Sequence, residues 1–122
     1  MSEYVEYALE RMKELREIDA ESCSQGEVSE EVEDRVFEIL RRISEFEDPT
    51  VPLFITTMYE AERQLEWEAD GVYLEVEVRN EGRNVMLWED DVLKITHYAT
   101  VDDIVEKYRE LWGGTSGSTV GE

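Results

Sequence analysis

The sequence predicts an α+β fold: an N-terminal helical hairpin, an antiparallel β-meander of four or five strands, and a C-terminal helix packed on one sheet face. Apolar residues recur every three or four positions up to residue 47, alternate with polar residues from 53 to 98, and regain helical spacing after Thr100. The 122 residues suffice for one hydrophobic core. We therefore predict a single domain over residues 1–114 and a disordered tail over residues 115–122, which are rich in Gly, Ser and Thr.

The first part of the chain predicts two helices joined by a polar loop. An apolar stripe runs along residues 3–18, and a second one follows Ser29, a residue type that caps helix N-termini well. Residues 19–27 break the pattern with small polar residues and are predicted to be a loop. The second helix is expected over residues 29–47 and ends before Pro49, because proline lacks a backbone donor and disfavours helix at the preceding residue.

The middle of the chain predicts strands in five places. They are expected over residues 53–57, 64–69, 72–79, 84–89 and 93–98. Asp70-Gly71, which separates two alternating segments, indicates a two-residue type I′ turn. That turn pairs Trp67 with Leu74 and puts the apolar residues of both strands on one face, whereas a three-residue loop would mix the faces. Residues 59–63 fit a strand, a turn or a helix.

Turn length decides the registers of the last two strands. The turn at residues 80–83 is expected to bring Val85 and Leu87 onto the face that the helices cover. After Glu89, a two-residue turn would place Lys94 beside Leu87, whereas a longer turn, which we favour, places Ile95 there. These registers leave alternate residues of the fourth strand on the opposite face.

A last helix is predicted over residues 101–112. Thr100 is a suitable N-cap, and Asp103 stands where a capping box needs a side-chain acceptor. Gly113-Gly114 is expected to end this helix.

The charge is strongly acidic and indicates the environment. The chain carries 32 acidic and 12 basic side chains and a net charge of −20, a bulk composition that resembles haloarchaeal cytosolic proteins. Molar salt screens the self-repulsion of such a chain and leaves its solubility high. We therefore predict a cytoplasmic protein adapted to high salt. Direct binding of nucleic acid is disfavoured because phosphate contacts need clustered Lys and Arg, and we predict no membrane span and no secretory signal.

The sequence predicts no catalytic, cofactor-binding, metal or specific small-molecule site. Phosphate-binding glycine motifs are absent, and Cys23 and His97 are the single cysteine and histidine, which leaves a Cys–His dyad as a disfavoured alternative. Glu89-Asp90-Asp91 lacks the ligand spacing of a calcium loop and is predicted to be a solvated turn. The predicted register places Glu66 opposite Glu75, where the pair would share a cation or a proton or be screened by salt.

The mixed sheet face opposite the helices is the candidate functional surface. Large aromatic and sulphur-containing side chains are frequent in interface hot spots, and here they stand among carboxylates. The predicted interface residues are Tyr73, Glu75, Glu77, Met86 and Trp88. The alternative is that another element of the chain covers them.

These observations predict a small, acidic, non-enzymatic protein that acts as an interaction, regulatory or accessory protein. It would bind a protein partner or associate with itself. One alternative is an inhibitor whose carboxylates mimic phosphates for a basic nucleic-acid-binding partner, although the acidic residues are spread along the chain rather than clustered. A more remote alternative is a small enzyme that uses His97 or paired carboxylates.

Overall fold

The computed structural model describes residues 3–21, 28–45 and 51–113. The helices are α1 (Glu3–Glu21), α2 (Glu30–Ile43) and α3 (Val101–Tyr108), and the strands are β1 (Leu53–Met58), β2 (Glu62–Ala69), β3 (Val72–Val78), β4 (Asn84–Glu89) and β5 (Leu93–Thr96). The strands form one antiparallel sheet in the order β1-β2-β3-β4-β5, which confirms the predicted α+β class. Three predictions lie outside the described residues: the tail at 115–122, the loop around Cys23 and the proline stop at Pro49.

Hydrogen-bonding side chains begin the second and third helices, as predicted. The Ser29 hydroxyl accepts a hydrogen bond from the Val32 amide at 3.1 Å. The Thr100 hydroxyl accepts from the Asp103 amide at 3.0 Å, and the Asp103 carboxylate accepts from the Thr100 amide at 2.9 Å, which completes the capping box. After Tyr108 the chain continues as a π-helical turn over Arg109–Gly113.

One hydrophobic core lies between the three helices and one face of the sheet. We call this the inner face; it carries Leu65, Trp67, Leu74, Val76 and Val78, all fully buried. Met12, Ile39 and Ile104 reach the same core from α1, α2 and α3 respectively. The opposite, outer face of the sheet has no described helix packed on it. Over residues 3–21, 28–45 and 51–113, the fold is therefore a two-layer sandwich with helices on one face of the sheet.

The β2–β3 hairpin has the predicted turn and register. Asp70 and Gly71 both have positive φ, 59° and 77°, and Trp67 pairs with Leu74. This backbone region penalises residues with a Cβ, most strongly those with branched side chains. Turn chemistry and hydrophobic alternation therefore specify the same register.

Gly71→Val is expected to lower the free energy of unfolding by about 1–2 kcal/mol. The loss comes from backbone conformation alone, since a Cβ at Gly71 would meet nothing within 4 Å. Gly71→Asn is the matched control and is expected to cost much less, because asparagine tolerates positive φ. Urea unfolding of both variants measures the difference, and equal losses would contradict the turn assignment.

The predicted register of β4 is wrong by one residue. Met86 rather than Leu87 lies opposite Val76, and Asn84 lies opposite Val78, because the loop over Asn80–Gly82 has three residues. Met86 is therefore on the inner face. The four consecutive apolar residues of β4, from Val85 to Trp88, gave no period-two signal that could choose a face.

A polar anchor on the inner face fixes this register. Asn84 is 3% exposed, accepts a hydrogen bond from Arg35 Nε at 2.9 Å, and donates one to the Ala99 carbonyl at 3.0 Å. The Arg35 guanidinium also donates to the carbonyl of Arg79. A shift of one residue would turn the Asn84 amide towards the outer face and leave these buried groups without partners.

The structure also decides the length of the β4–β5 turn and the conformation of residues 59–63. Leu87 pairs with Ile95, which confirms the longer β4–β5 turn. Residues Tyr59–Ala61 form a short 3-10 turn, in which Glu60 and Ala61 have positive φ, and β2 begins directly after it. Residues 59–63 are thus a turn followed by strand.

A buried tyrosine pair joins the two ends of the described chain. The Tyr4 and Tyr108 hydroxyls lie 2.9 Å apart, and Tyr4 also donates to the Val51 carbonyl. Burial raises the pKa of both hydroxyls above the ordinary value, and the contact with Tyr108 raises the pKa of Tyr4 further. The neutral, protonated forms are therefore the ones the folded state favours.

Stability should consequently fall as the pH rises above about 10, where the unfolded state loses tyrosine protons that the folded state retains. Below about pH 10 both states hold these protons, so the contribution is constant there. Urea melts between about pH 9 and 11.5 measure the slope, and Tyr4→Phe is expected to flatten it. An unchanged slope in the variant would contradict this assignment.

Candidate functional site

The structure separates the predicted interface residues onto two faces. Tyr73, Glu75 and Glu77 lie on the outer face as expected, but Met86 and Trp88 lie on the inner face. Met86 is 3% exposed within the core, and Trp88 packs against the core with the Lys107 ammonium 4.2 Å from its ring centroid. The expectation that all five form one open patch is therefore wrong, and its cause is the one-residue shift of β4.

The outer face divides into two chemically different halves. The acidic half comprises Glu66, Glu68, Glu75 and Glu77, on strands β2 and β3. The apolar half comprises Leu87, Leu93 and Ile95, on strands β4 and β5, with the buried Val85 beside them. Tyr73 lies on the same face of β3, between Glu68 of β2 and Glu89 of β4.

The apolar half exposes more hydrocarbon than a sheet face turned to water normally does. Leu93 and Ile95 are 57% and 50% exposed, and Leu87 between β3 and β5 is partly exposed. Phe54, at the far edge of the same face, is 62% exposed. Contiguous apolar side chains of this kind mark interaction surfaces on soluble proteins.

The acidic half has few neutralising partners. Glu77 lies 3.4 Å from Arg79 Nη1, whereas no ion pair involves Glu66, Glu68 or Glu75 in the part of the chain that the structure describes. Glu66 and Glu75 face each other directly, as the sequence predicted. Such like-charged neighbours destabilise a sheet and favour a bound positive charge.

Tyr73 makes a hydrogen bond to a carboxylate of the acidic half. Its hydroxyl donates to Glu75 Oε1 at 2.6 Å. Partial burial raises the pKa of Tyr73 above its ordinary value, and the hydrogen bond to the Glu75 carboxylate raises it further. The hydroxyl therefore remains a donor at physiological pH and holds Glu75 in place at the border of the apolar half.

The two edges of the sheet differ in protection. At β1, the Ile55 carbonyl accepts from Arg11 Nε at 2.9 Å and the Ile55 amide donates to the Tyr7 hydroxyl at 3.2 Å, so α1 covers this edge. β5 forms the other edge of the sheet, and no described strand pairs with its free side. The exposed apolar residues thus adjoin the unprotected edge, where strands are prone to further association.

A buried ion network was missed by sequence reasoning. Arg63 is fully buried on the inner face, with Nη2 2.8 Å from Asp19 Oδ2 and Nη1 2.9 Å from the Thr57 hydroxyl. The Thr57 hydroxyl donates to Asp19 Oδ1 at 2.7 Å, and Glu33 lies 3.9 Å from Arg63. Asp19 was predicted to begin a loop; instead α1 runs to Glu21 and carries Asp19 into the core.

Two signals in the sequence pointed to this pair. Arg63 follows the same alternation as Leu65 and Trp67, and Asp19 continues the core spacing of α1 four residues beyond Leu15. A buried charge is normal only when it is paired. Opposite charges at two core positions therefore predict a contact. Asp19, Thr57 and Arg63 are all hydrogen-bonded to one another, so we assign this network a structural role.

A cleft also lies at the turn end of the sheet, lined in part by Glu62, Arg79 and Arg83. Its cationic side chains are engaged internally: Arg79 lies 3.3 Å from Glu62, and the Arg83 guanidinium lies 5.1 Å from the Tyr98 ring centroid. Arg83 Nε donates to the His97 carbonyl at 3.4 Å. These contacts give the cleft mixed charge and no converging set of free donors.

The sequence also contains a single histidine, a single cysteine and many carboxylates as candidates for catalysis or metal binding. His97 is exposed in the turn after β5, and Cys23 lies outside the described residues. Across residues 3–21, 28–45 and 51–113, no three His, Cys, Asp or Glu side chains are grouped to hold a metal ion. In the same ranges, no helix combines the length and apolar character needed to cross a membrane.

Comparison with known proteins gives no relative. No protein-family model, curated protein or solved structure matches the chain.

Proposed function

We propose that this protein is a non-enzymatic interaction or accessory protein that binds another protein through the open outer face of its sheet. The observation that carries the proposal is the exposure of Leu93 and Ile95, 57% and 50%, on a sheet face against which no described helix packs. Burying such side chains against a partner releases about 25 cal/mol for each Å² removed from water. The proposed interface thus comprises Leu87, Leu93 and Ile95, with Tyr73, Glu75 and Glu77 of the neighbouring strand β3 at its border.

The distribution of acidic residues favours this function over phosphate mimicry. Exposed carboxylates also occur at Glu10 and Glu17 of α1 and at Glu38 of α2, on the helical layer. A phosphate mimic needs its acids on one surface and has no use for exposed Leu and Ile among them. Carboxylates on both the helical layer and the sheet support another explanation of the acidic composition, namely adaptation of a cytoplasmic protein to high salt.

If the charge reflects such adaptation, the free energy of unfolding should rise substantially between about 0.1 and 2 M KCl, because salt screens the self-repulsion of a chain with net charge −20. Guanidinium is itself a salt, so urea melts measure the effect. Sucrose at matched osmolality is the control, since it strengthens burial without screening charge. A flat or falling midpoint in KCl would contradict salt adaptation.

Site-specific photo-crosslinking tests the interface. A photoreactive amino acid placed at Ile95 should yield a discrete protein adduct in an extract of the source organism at its own salt concentration. The same residue at Ile18, which is 44% exposed on α1, is the matched control and should yield none. Leu87→Asp in the Ile95 probe should suppress the adduct while urea melts show the fold intact. Equal labelling from both positions, or none from Ile95, would overturn the proposal.

A further inference from the structure

We propose that the outer face binds a basic amphipathic helix of a partner protein, with the helix lying along β4 and β5. The inference rests on the proposed function and adds the chemistry of the partner. The apolar half would take the apolar stripe of the helix, and the acidic half would take the Lys and Arg side chains beside that stripe.

Charge is sorted between the two faces of the sheet. All carboxylates within the five strands lie on the outer face: Glu62, Glu66, Glu68, Glu75, Glu77 and Glu89. The two basic residues within the strands, Arg63 and Lys94, both lie on the inner face. Arg79, directly after β3, pairs with Glu62 and Glu77. The outer-face carboxylates without an ion pair among the described residues are Glu66, Glu68, Glu75 and Glu89, and a basic partner complements them.

Dimensions favour a helix as the occupant. Neighbouring strands lie about 4.8 Å apart, so the distance from β3 to β5 is about 10 Å. An α-helix with its side chains is about 10–12 Å across. A helix centred on β4 would therefore contact Leu87, Leu93 and Ile95 beneath it and bring its flanking cations to Glu75 and Glu77 on β3.

Other occupants fit the surface less well. A second copy brings another net charge of −20, so face-to-face association is opposed at low salt. Nucleic acid is repelled by the acidic half, and Arg79, the cation that borders this half, is already paired with Glu62 and Glu77. The helix is the occupant that uses both halves at once.

The test is a titration of a fluorescent peptide by anisotropy, with helix formation followed by circular dichroism. The peptide has about 18 residues, with Leu at i, i+3, i+4 and i+7 and with Lys and Arg on both sides of the stripe. One control peptide has the same composition in scrambled order, and another has Glu in place of Lys and Arg. We expect saturable binding and helix formation for the first peptide only.

Two pairs of protein variants separate local contacts from overall charge. Glu75→Gln/Glu77→Gln should weaken binding about fivefold at about 0.1 M KCl. Glu17→Gln/Glu106→Gln removes the same charge from exposed helical positions and should change affinity little. Ile95→Asp should weaken binding about tenfold or more, and this loss should persist at about 2 M KCl, where the effect of the glutamates fades.

Each outcome decides the inference. Equal weakening by both glutamine pairs, equal binding of the scrambled peptide, or no saturable binding up to about 1 mM would overturn it. A dimer that sedimentation detects and Ile95→Asp dissolves would assign the face to a second copy instead. If the peptide fails while the Ile95 probe still gives its adduct, the partner chemistry is wrong and the interaction surface stands; if both fail, both are wrong.

Discussion

Asp19→Ala is expected to lower the free energy of unfolding by about 3–5 kcal/mol, because it leaves the Arg63 guanidinium buried without its carboxylate. Asp19 is 2% exposed and Arg63 is fully buried, so bulk solvent does not reach the guanidinium in the folded structure. Thr57 would lose its acceptor at the same time. Domains of this size have total stabilities of about 5–15 kcal/mol, so urea unfolding should show that Asp19→Ala loses a large part of that stability.

Two comparisons distinguish the ion pair from helix effects. Glu17→Ala changes an exposed acid two residues away on α1 and should alter stability by less than about 0.5 kcal/mol. Asp19→Leu/Arg63→Met removes both charges and should recover much of the loss, because a well-packed apolar pair avoids the desolvation cost of two ions. A loss below about 1 kcal/mol in Asp19→Ala would show that the pair is exposed in solution.

Trp67→Ala is the second large effect, with an expected loss of about 3–5 kcal/mol. Trp67 is fully buried at the centre of the inner face, and its ring meets the Tyr108 ring edge-on with centroids 5.7 Å apart. Truncation would leave a cavity between β2 and α3 that the surrounding residues fill only partly. Far-UV circular dichroism during urea unfolding measures the loss without relying on tryptophan fluorescence.

Trp67→Phe should cost clearly less than Trp67→Ala. It keeps an aromatic ring against Tyr108, and it removes an indole N–H that has no hydrogen-bond partner in the described part of the chain. Leu9→Ala, at a position 44% exposed on α1, is the control for loss of an apolar side chain outside the core. Similar losses in all three variants would contradict the central position of Trp67.

The candidate site shows how a correct fold prediction can misplace a surface. The β2–β3 hairpin was predictable because Asp70-Gly71 and the alternation on both strands demand the same register. The sequence of β4 contains no such agreement, because Val85 to Trp88 are all apolar and their pattern does not indicate which of them face the core. Of the five predicted interface residues, Met86 therefore lies in the core and Trp88 packs against the core from the inner face.

The sequence by itself determined the order and type of the elements, both helix caps and the strand pairs whose turns have a required length. These depend on neighbours in the chain, and hydrogen bonds and backbone conformation act over that distance. Only the tertiary structure decided which side of β4 faces the helices, because Asn84 is held there by Arg35 and Ala99, far away in sequence. It likewise decided that Asp19 is helical and buried, since a carboxylate enters a core only where a distant cation, here Arg63, offsets its desolvation.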